Sequence, residues 1–403
     1  MTLSEAELAA RSASTPDRVR ALVAAGVLTA IDGGSFAPDD VNRIRVAEAL
    51  AASGISLNDI ARAVGAGQLS FDFVGSLLPP VGYLPNTTMG AFSSDHAVPW
   101  DLVSSSLVRF GLPVPGRDEP IREDDAEIFP SAAAALGFGL SEEALARFSR
   151  LVGETLRKLA EAQVDLFDTT VVRPMIAAGV PETQALENAA QMGRALAPML
   201  EGLLLWVFRR HQEHAILEDV IEYVETALDR AGVSAKRDAS TTAIAFMDLS
   251  GFTRLTETEG DHAAAELAAS LAELVQDAAH AHGGTPVKFL GDGVMFHFVD
   301  PGQAVACALE LVDGARAAGL PPAHVGIHAG PVVYRDGDYF GRTVNLAARI
   351  ADKAGPGEVF VSEETSRVTR AAGEALGFGF EEVGAAELKG VERPVMLVRV
   401  TRA

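Results

Sequence analysis

Near residue 241 the hydrophobic pattern changes from a helical to an alternating period, and this change constrains the fold more than any other feature. The sequence beyond it predicts the order strand, helix, strand, strand, helix, strand, with Gly291-Asp292-Gly293 as a tight turn between the two central strands. These elements are predicted at 242–249, 261–281, 286–290, 294–298, 301–318 and 325–329, followed by a helix at 344–351 and a strand at 359–362. The order implies a ferredoxin-like βαββαβ core with helices on one face of the sheet.

Two carboxylates fall at strand ends of this core. Asp248 ends the first strand, in AFMDLSGFTRLTE, and Asp292 occupies the hairpin tip, in VKFLGDGVMFHF. Because the first strand and the hairpin are neighbours in a βαββαβ sheet, we expect the two side chains to meet at one edge. Such a pair can hold two magnesium ions, which activate a hydroxyl and neutralise a transferring phosphoryl group. Either aspartate alone would be an ordinary turn or strand-end residue.

A third motif, DYFGRTVNLAARI, places Asn345 and Arg349 four residues apart on a predicted helix, so both reach the same side. A guanidinium stays charged and offers several hydrogen-bond donors, which suits it to a developing phosphate charge. Without the two aspartate motifs, this pair would be interpreted as an ordinary exposed asparagine and arginine.

The three motifs together resemble those of class III adenylyl and guanylyl cyclases, over about residues 241–400. The resemblance implies a catalytic domain at 238–403 that converts ATP to 3',5'-cyclic AMP and pyrophosphate. It also implies two divalent ions per site, Mg or Mn, without deciding between them. None of the motif residues departs from the family's pattern, so we expect an active enzyme.

The resemblance also assigns roles to residues. It implies that Asp248 and Asp292 bind the metal ions, that Asn345 orients the ribose, and that Arg349 stabilises the transition-state phosphate. The closing sequence LKGVERPVMLVRV resembles the family's last strands and implies that Lys389 contacts the triphosphate. In the family, one subunit supplies the metal ligands and the other supplies the remaining residues. One domain carrying both halves therefore implies a homodimer with two equivalent sites.

Lys288 and Asp338 stand at the positions where the family reads the nucleobase. Adenine presents the N1 acceptor and the N6 amino donor, which a lysine donor and an aspartate acceptor match. Guanine reverses this pattern and would leave buried polar groups unpaired. ATP is therefore the expected substrate, and guanylyl cyclase activity is the disfavoured alternative.

Residues 1–75 resemble the winged helix-turn-helix of the MerR family, on LSEAELAARSASTPDRVRALVAAGVL and FAPDDVNRIRVAEAL. The segment up to Ser70 has six arginines against eight acidic residues, a net charge of -2. Because DNA binding needs several phosphate contacts from Lys and Arg, we favour a module for protein contacts. The alternative is a MerR-like transcription regulator whose cyclase-like domain senses nucleotide.

Residues 76–237 predict a helical regulatory domain, so the whole N-terminal half is expected to be helical and the fold class α+β. This segment begins with turn-rich sequence and has a loop over 113–127. Its helical periodicity breaks near Gly179-Val180-Pro181 and at Pro198. The motif LAPMLEGLLLWVFRRHQEH makes it similar to regulatory domains of mycobacterial adenylyl cyclases. A long helix over 203–228 is expected to transmit a regulatory signal. The sequence does not decide whether that signal is a proton, an apolar ligand or a protein partner.

His211 and His214 share one face of that helix. A pH sensor needs a group that titrates near neutrality, but a histidine on a charged helix face is more often simply solvated. We favour the solvated interpretation.

The composition favours a cytoplasmic protein. A net charge of -22 disfavours nucleic acid and anionic lipid as partners. The single cysteine, Cys307, excludes a disulfide framework and fits a reducing compartment. The N-terminus has no signal-peptide pattern, and the most apolar helix, 195–208, is too short to span a membrane.

Overall fold

The computed structural model divides into two compact units, residues 1–217 and 218–403. It describes residues 2–31, 33–78, 81–232, 242–252, 255, 258 and 260–403. The polar connection that the sequence predicts after Gly232 lies outside these residues, as do Thr253, Arg254, Thr256 and Glu257 of the first aspartate motif.

The first unit is mainly helical. Its helices are α1 (Glu5–Arg11), α2 (Pro16–Ala24), α3 (Asp40–Ala52), α4 (Leu57–Gly65), α5 (Val74–Leu77), α6 (Met89–Asp95), α7 (Trp100–Phe110), α8 (Glu123–Gly137), α9 (Glu142–Phe167), α10 (Arg173–Ala177) and α11 (Glu182–Arg230), of which α11 continues past residue 217. A π-helical segment, Asp168–Val172, joins α9 to α10.

Local side chains cap the first two helices. The Ser4 and Glu7 side chains form a capping box at α1, and Thr15 caps α2, which has Pro16 in its first turn. Isolated β-bridges join Leu3 to Phe36 and Ile31 to Ser35. One core cluster, which includes Leu8, Leu22 and Ile44, holds residues 3–74 together.

The middle of the first unit differs from the sequence-based prediction in three places. Strands β1 (Tyr83–Thr88) and β2 (Pro120–Arg122) pair antiparallel, so this half is not purely helical. Prolines are tolerated in these strands because both strands of a two-stranded sheet are edge strands. Helix α8 begins within the predicted loop, at Glu123. Pro198 lies inside α11, because a proline removes one N–H donor and can bend a long helix without ending it.

The second unit contains the predicted βαββαβ core and confirms the α+β class. Its main sheet has seven strands in the order β10-β11-β9-β6-β3-β5-β4. The elements are β3 (Thr242–Leu249), α12 (Asp261–Ala281), β4 (Gly284–Leu290), β5 (Gly293–Phe298), α13 (Pro301–Ala317), β6 (Ala323–Gly330), β7 (Val333–Arg335), β8 (Asp338–Phe340), α14 (Arg342–Ala351), β9 (Val359–Ser362), α15 (Glu363–Leu376), β10 (Phe378–Ala386) and β11 (Val395–Arg402).

Helices cover both faces of this sheet. On one face Ala245 and Met247 of β3 pack with residues of α12 and α13, as the sequence predicts. On the other face Ile244 of β3 packs with Ala347 of α14, so the prediction of helices on one face is wrong for α14. The physical reason is that β3 is apolar on both sides, which requires cover on both. Helix α14, which carries Asn345 and Arg349, is thereby fixed against the centre of the sheet.

Among the residues that the structure describes, no helix combines the length and the apolar character needed to cross a membrane.

Candidate active site

The two aspartates meet at one end of the sheet because β3 pairs with β5. Met247 is opposite Val294 in this antiparallel ladder, so the end of β3 lies beside the β4–β5 hairpin that carries Asp292. A Cβ on Gly293 would lie 3.3 Å from Asp248 Oδ1, and glycine leaves that space open. Burial raises the pKa of the half-buried Asp248, and the negative charge of Asp292 raises it further. The structure thus brings the two aspartates to the same end of the sheet, and their role as metal ligands stays a prediction.

This donor set fits Mg²⁺ or Mn²⁺. Both cations prefer carboxylate oxygens, and a cation here would relieve the repulsion between the two aspartates. In the described ranges, no group of three or more His, Cys, Asp or Glu residues could hold a metal ion. The two aspartates would supply carboxylate ligands to the ions, and substrate and water would fill further positions.

A histidine that the sequence motifs did not reveal lies beside Asp248. In the ladder between β3 and β6, His324 is directly opposite Asp248, and its Nε2 lies 3.9 Å from Asp248 Oδ2. Its Nδ1 is 3.1 Å from Ser250 Oγ. His324 opposes the rise in the pKa of Asp248 that burial causes. Only the register of β6 against β3 identifies this neighbour, and local sequence carries no signal for it.

The two predicted base-reading residues contact one another. Lys288 Nζ on β4 donates to Asp338 Oδ2 on β8 over 2.5 Å, although 50 residues separate them. Asp338 begins β8 directly after Asp336 and Gly337, which both have positive φ, 55° and 81°. This is the backbone of a tight two-residue hairpin turn. The hairpin thereby brings Asp338 to the lysine.

Asn345 and Arg349 lie one turn apart on α14, as predicted. Arg349 Nη1 donates to Asp352 Oδ2 over 2.7 Å, an ion pair within the same segment. Asn345 and Lys389 are exposed, and neither side chain has a hydrogen bond or ion pair with the described part of the chain. In that part of the chain, no hydrogen bond or ion pair links the Lys288–Asp338 pair to Asp248 or Asp292.

Two carboxylates at one edge of a βαββαβ sheet, with an asparagine and an arginine on a helix of the same unit, form the arrangement of a nucleotide cyclase. Residues 234–399 match the family model described as the adenylate and guanylate cyclase catalytic domain. The chain belongs to this family and is a cyclase enzyme.

Its relatives extend the likeness beyond the catalytic domain. The chain is 31% identical to an uncharacterized protein of Mycobacterium tuberculosis (strain ATCC 25618 / H37Rv), over 85% of this chain and 86% of the relative. It is 31% identical to the pH-sensitive adenylate cyclase of Mycobacterium tuberculosis (strain CDC 1551 / Oshkosh), over 69% and 68% of the two chains. With the adenylate cyclase of Streptomyces coelicolor it shares 34% identity over 66% of each chain. The first match necessarily includes much of the helical unit.

We predict that Mn²⁺ or Mg²⁺ raises the melting temperature of the protein through the two aspartates, because a cation that binds only the folded state stabilises it, and more so as its concentration exceeds the dissociation constant. Asp248→Asn and Asp292→Asn should each abolish this rise. Asp336→Asn, at an exposed turn where asparagine is equally suited to positive φ, should keep it. Thermal unfolding with and without the metal measures the effect. An undiminished rise in both aspartate variants would contradict the assignment.

Proposed function

We propose that the protein is an adenylyl cyclase that converts ATP to 3',5'-cyclic AMP and pyrophosphate. The contact between Lys288 and Asp338 carries the choice of substrate, because it places a donor and an acceptor side by side at the predicted base-reading positions. These complement the N1 acceptor and the N6 donor of adenine. Two relatives that are named as adenylate cyclases support the same substrate.

The reaction joins the ribose 3'-oxygen to the α-phosphorus and breaks the bond to the β-phosphate, so pyrophosphate leaves and the 3'-hydroxyl loses its proton. Two divalent ions held by Asp248 and Asp292 would activate that hydroxyl and neutralise the triphosphate. Asn345 orients the ribose, and Arg349 stabilises the charge that develops on the α-phosphate.

Arg349 can leave its present partner for this task. Its ion pair with Asp352 is partly exposed, with 42% and 59% of the two side chains accessible. Exposed pairs of this kind contribute about 0–1 kcal/mol, so a triphosphate competes easily for the guanidinium. Lys389 is exposed in the connection between β10 and β11 and contributes a further positive charge to the triphosphate.

The active form is a homodimer in which each site takes the metal-binding aspartates from one chain and the other residues from its partner. The catalytic unit exposes large apolar side chains on two hairpins, a surface that suits a second copy. They are Phe289, Leu290, Val333, Tyr334 and Phe340, each at least 45% exposed.

Purified protein should produce cyclic AMP from ATP with Mg or Mn and form little cyclic GMP from GTP. Asp292→Ala should reduce the rate at least a hundredfold, because one metal-binding carboxylate is lost. Quantifying both cyclic nucleotides at high protein concentration checks the reaction and the substrate together. A preference for GTP would support the guanylyl cyclase alternative. If neither the full chain nor the catalytic domain forms a cyclic nucleotide, the result would favour a nucleotide sensor.

Shared sites predict complementation between two inactive variants. When Asp292→Ala is mixed with Arg349→Ala, half of the dimers are mixed and each has one intact site, so about a quarter of wild-type activity should return. A mixture of Asp292→Ala with Asp248→Ala should stay inactive, because both changes affect the same half of the site. Activity is measured after mixing and re-equilibration. Full activity in a monomeric fraction would contradict the dimer.

We divide the chain into a MerR-like module at 1–75, a helical regulatory domain at 76–237 and the cyclase domain at 238–403. The separate core of residues 3–74 supports the first boundary.

Helix α11 supports a role in signalling, since it exposes many apolar side chains and ends at Arg230, before β3. These side chains include Leu204, Trp206, Phe208, Ile221 and Val224.

Regulation predicts that residues 235–403 alone differ from the full chain in rate or in pH profile, because α11 no longer biases the catalytic dimer. The pH profile is included because one relative is named as pH-sensitive. Both proteins are compared at equal dimer concentration, with His211→Gln/His214→Gln testing the two exposed histidines. Identical rates and profiles would remove the regulatory role.

The ion pairs of the N-terminal module count against a DNA-binding regulator. Arg18 pairs with Glu48 over 2.7 Å, and Arg20 pairs with Glu5 and Asp17. Both arginines of α2 therefore lie beside carboxylates, whose negative charge repels a phosphate backbone. Retarded migration of promoter DNA by residues 1–75 would support the regulator instead.

A further inference from the structure

An aromatic stack outside the three motifs ties the β7–β8 hairpin to the main sheet. The rings of His297 on β5 and Tyr339 on β8 have centroids 4.2 Å apart and planes 11° apart. Tyr334 on β7 tilts against Tyr339, with centroids 5.0 Å apart. Tyr339 also packs against the small core cluster that contains Ile244 and Met295. The hairpin is thus attached to the sheet through Tyr339.

The hairpin needs such an attachment. Each of its strands has three residues, and isolated hairpins of this size are marginally stable in water. Val333, Tyr334 and Phe340 are at least half exposed, so they give the hairpin little burial within one chain. The place of Asp338 therefore depends on what holds its neighbour Tyr339.

We infer that His297 is a positioning residue that places Asp338 through Tyr339 and thereby sets the preference for adenine. Asp338 Oδ1 accepts a hydrogen bond from the Tyr339 backbone N–H over 2.8 Å, so the carboxylate moves with the residue that stacks on His297. A shift of about 1 Å at a reading group is enough to weaken recognition strongly. This inference rests on the proposed function, in which Lys288 and Asp338 read the base.

The stack does not require a charged histidine. Burial lowers the pKa of His297 to about 4, so the imidazole is neutral near pH 7. A neutral aromatic ring carries no charge and supplies mainly a flat surface for Tyr339. A phenyl ring should therefore replace the imidazole, whereas a methyl group should not.

The test compares His297→Ala and His297→Phe with His280→Ala, which removes an exposed histidine from α12. In His297→Ala we expect the KM for ATP to rise about tenfold with kcat less affected, and the ratio of kcat/KM for ATP over GTP to fall about tenfold. Amide hydrogen exchange of residues 333–340 should become faster. His297→Phe should restore all three quantities, and His280→Ala should match the wild type.

An equal loss of kcat for both nucleotides in His297→Ala, with KM and the exchange of 333–340 unchanged, would overturn the inference. Failure of His297→Phe to restore either the ratio or the slow exchange would also overturn it. If the wild type makes neither cyclic nucleotide, the proposed function fails, and hydrogen exchange alone then decides whether His297 holds the hairpin.

Discussion

The antiparallel pairing of β3 with β5 is the constraint on which the catalytic unit depends. It places Asp248 beside the hairpin that carries Asp292, and the glycine next to Asp292 leaves room for the first carboxylate. Burial raises the pKa of Asp248, and the negative charge of Asp292 raises it further, so this position disfavours the charged carboxylate. The sheet holds the two side chains together through backbone hydrogen bonds and a buried apolar core, which do not depend on the charge of either aspartate. The fold thus maintains an arrangement that electrostatics alone would separate.

The same sheet is apolar on both sides, and this determines where the third motif lies. Gly326 on β6 shows how closely α14 approaches, since a Cβ there would lie 2.0 Å from the backbone nitrogen of Ala351. No side chain larger than that of glycine fits at this position of the strand. Asn345 and Arg349 are therefore presented by a helix whose backbone is fixed against a strand, which suits residues whose geometry must be accurate.

Periodicity and turn chemistry predicted the βαββαβ core because each of its elements is encoded locally, from the alternating 242–249 to the Gly291-Asp292-Gly293 turn. The meeting of Asp248 with Asp292 followed from topology alone. His324 and the His297–Tyr339 stack could not be predicted, because both contacts depend on the register and packing of elements distant in sequence. The β1–β2 pair escaped prediction for a similar reason: its prolines indicate turns locally, and only the partner strand makes them strand residues.

Because Lys288 and Asp338 form an ion pair, the two opposite charges of the proposed base site are balanced before a nucleotide binds. Lys288 donates to Asp338, so each of the two groups already has a hydrogen-bond partner. A purine must insert itself between two groups that already have a partner, and this opening cost is the same for adenine and guanine. Only a base that then forms hydrogen bonds with both groups recovers this free-energy cost. In the proposed role, the pair would therefore compete with the nucleotide for its own donor and acceptor, and selectivity for adenine would cost some affinity.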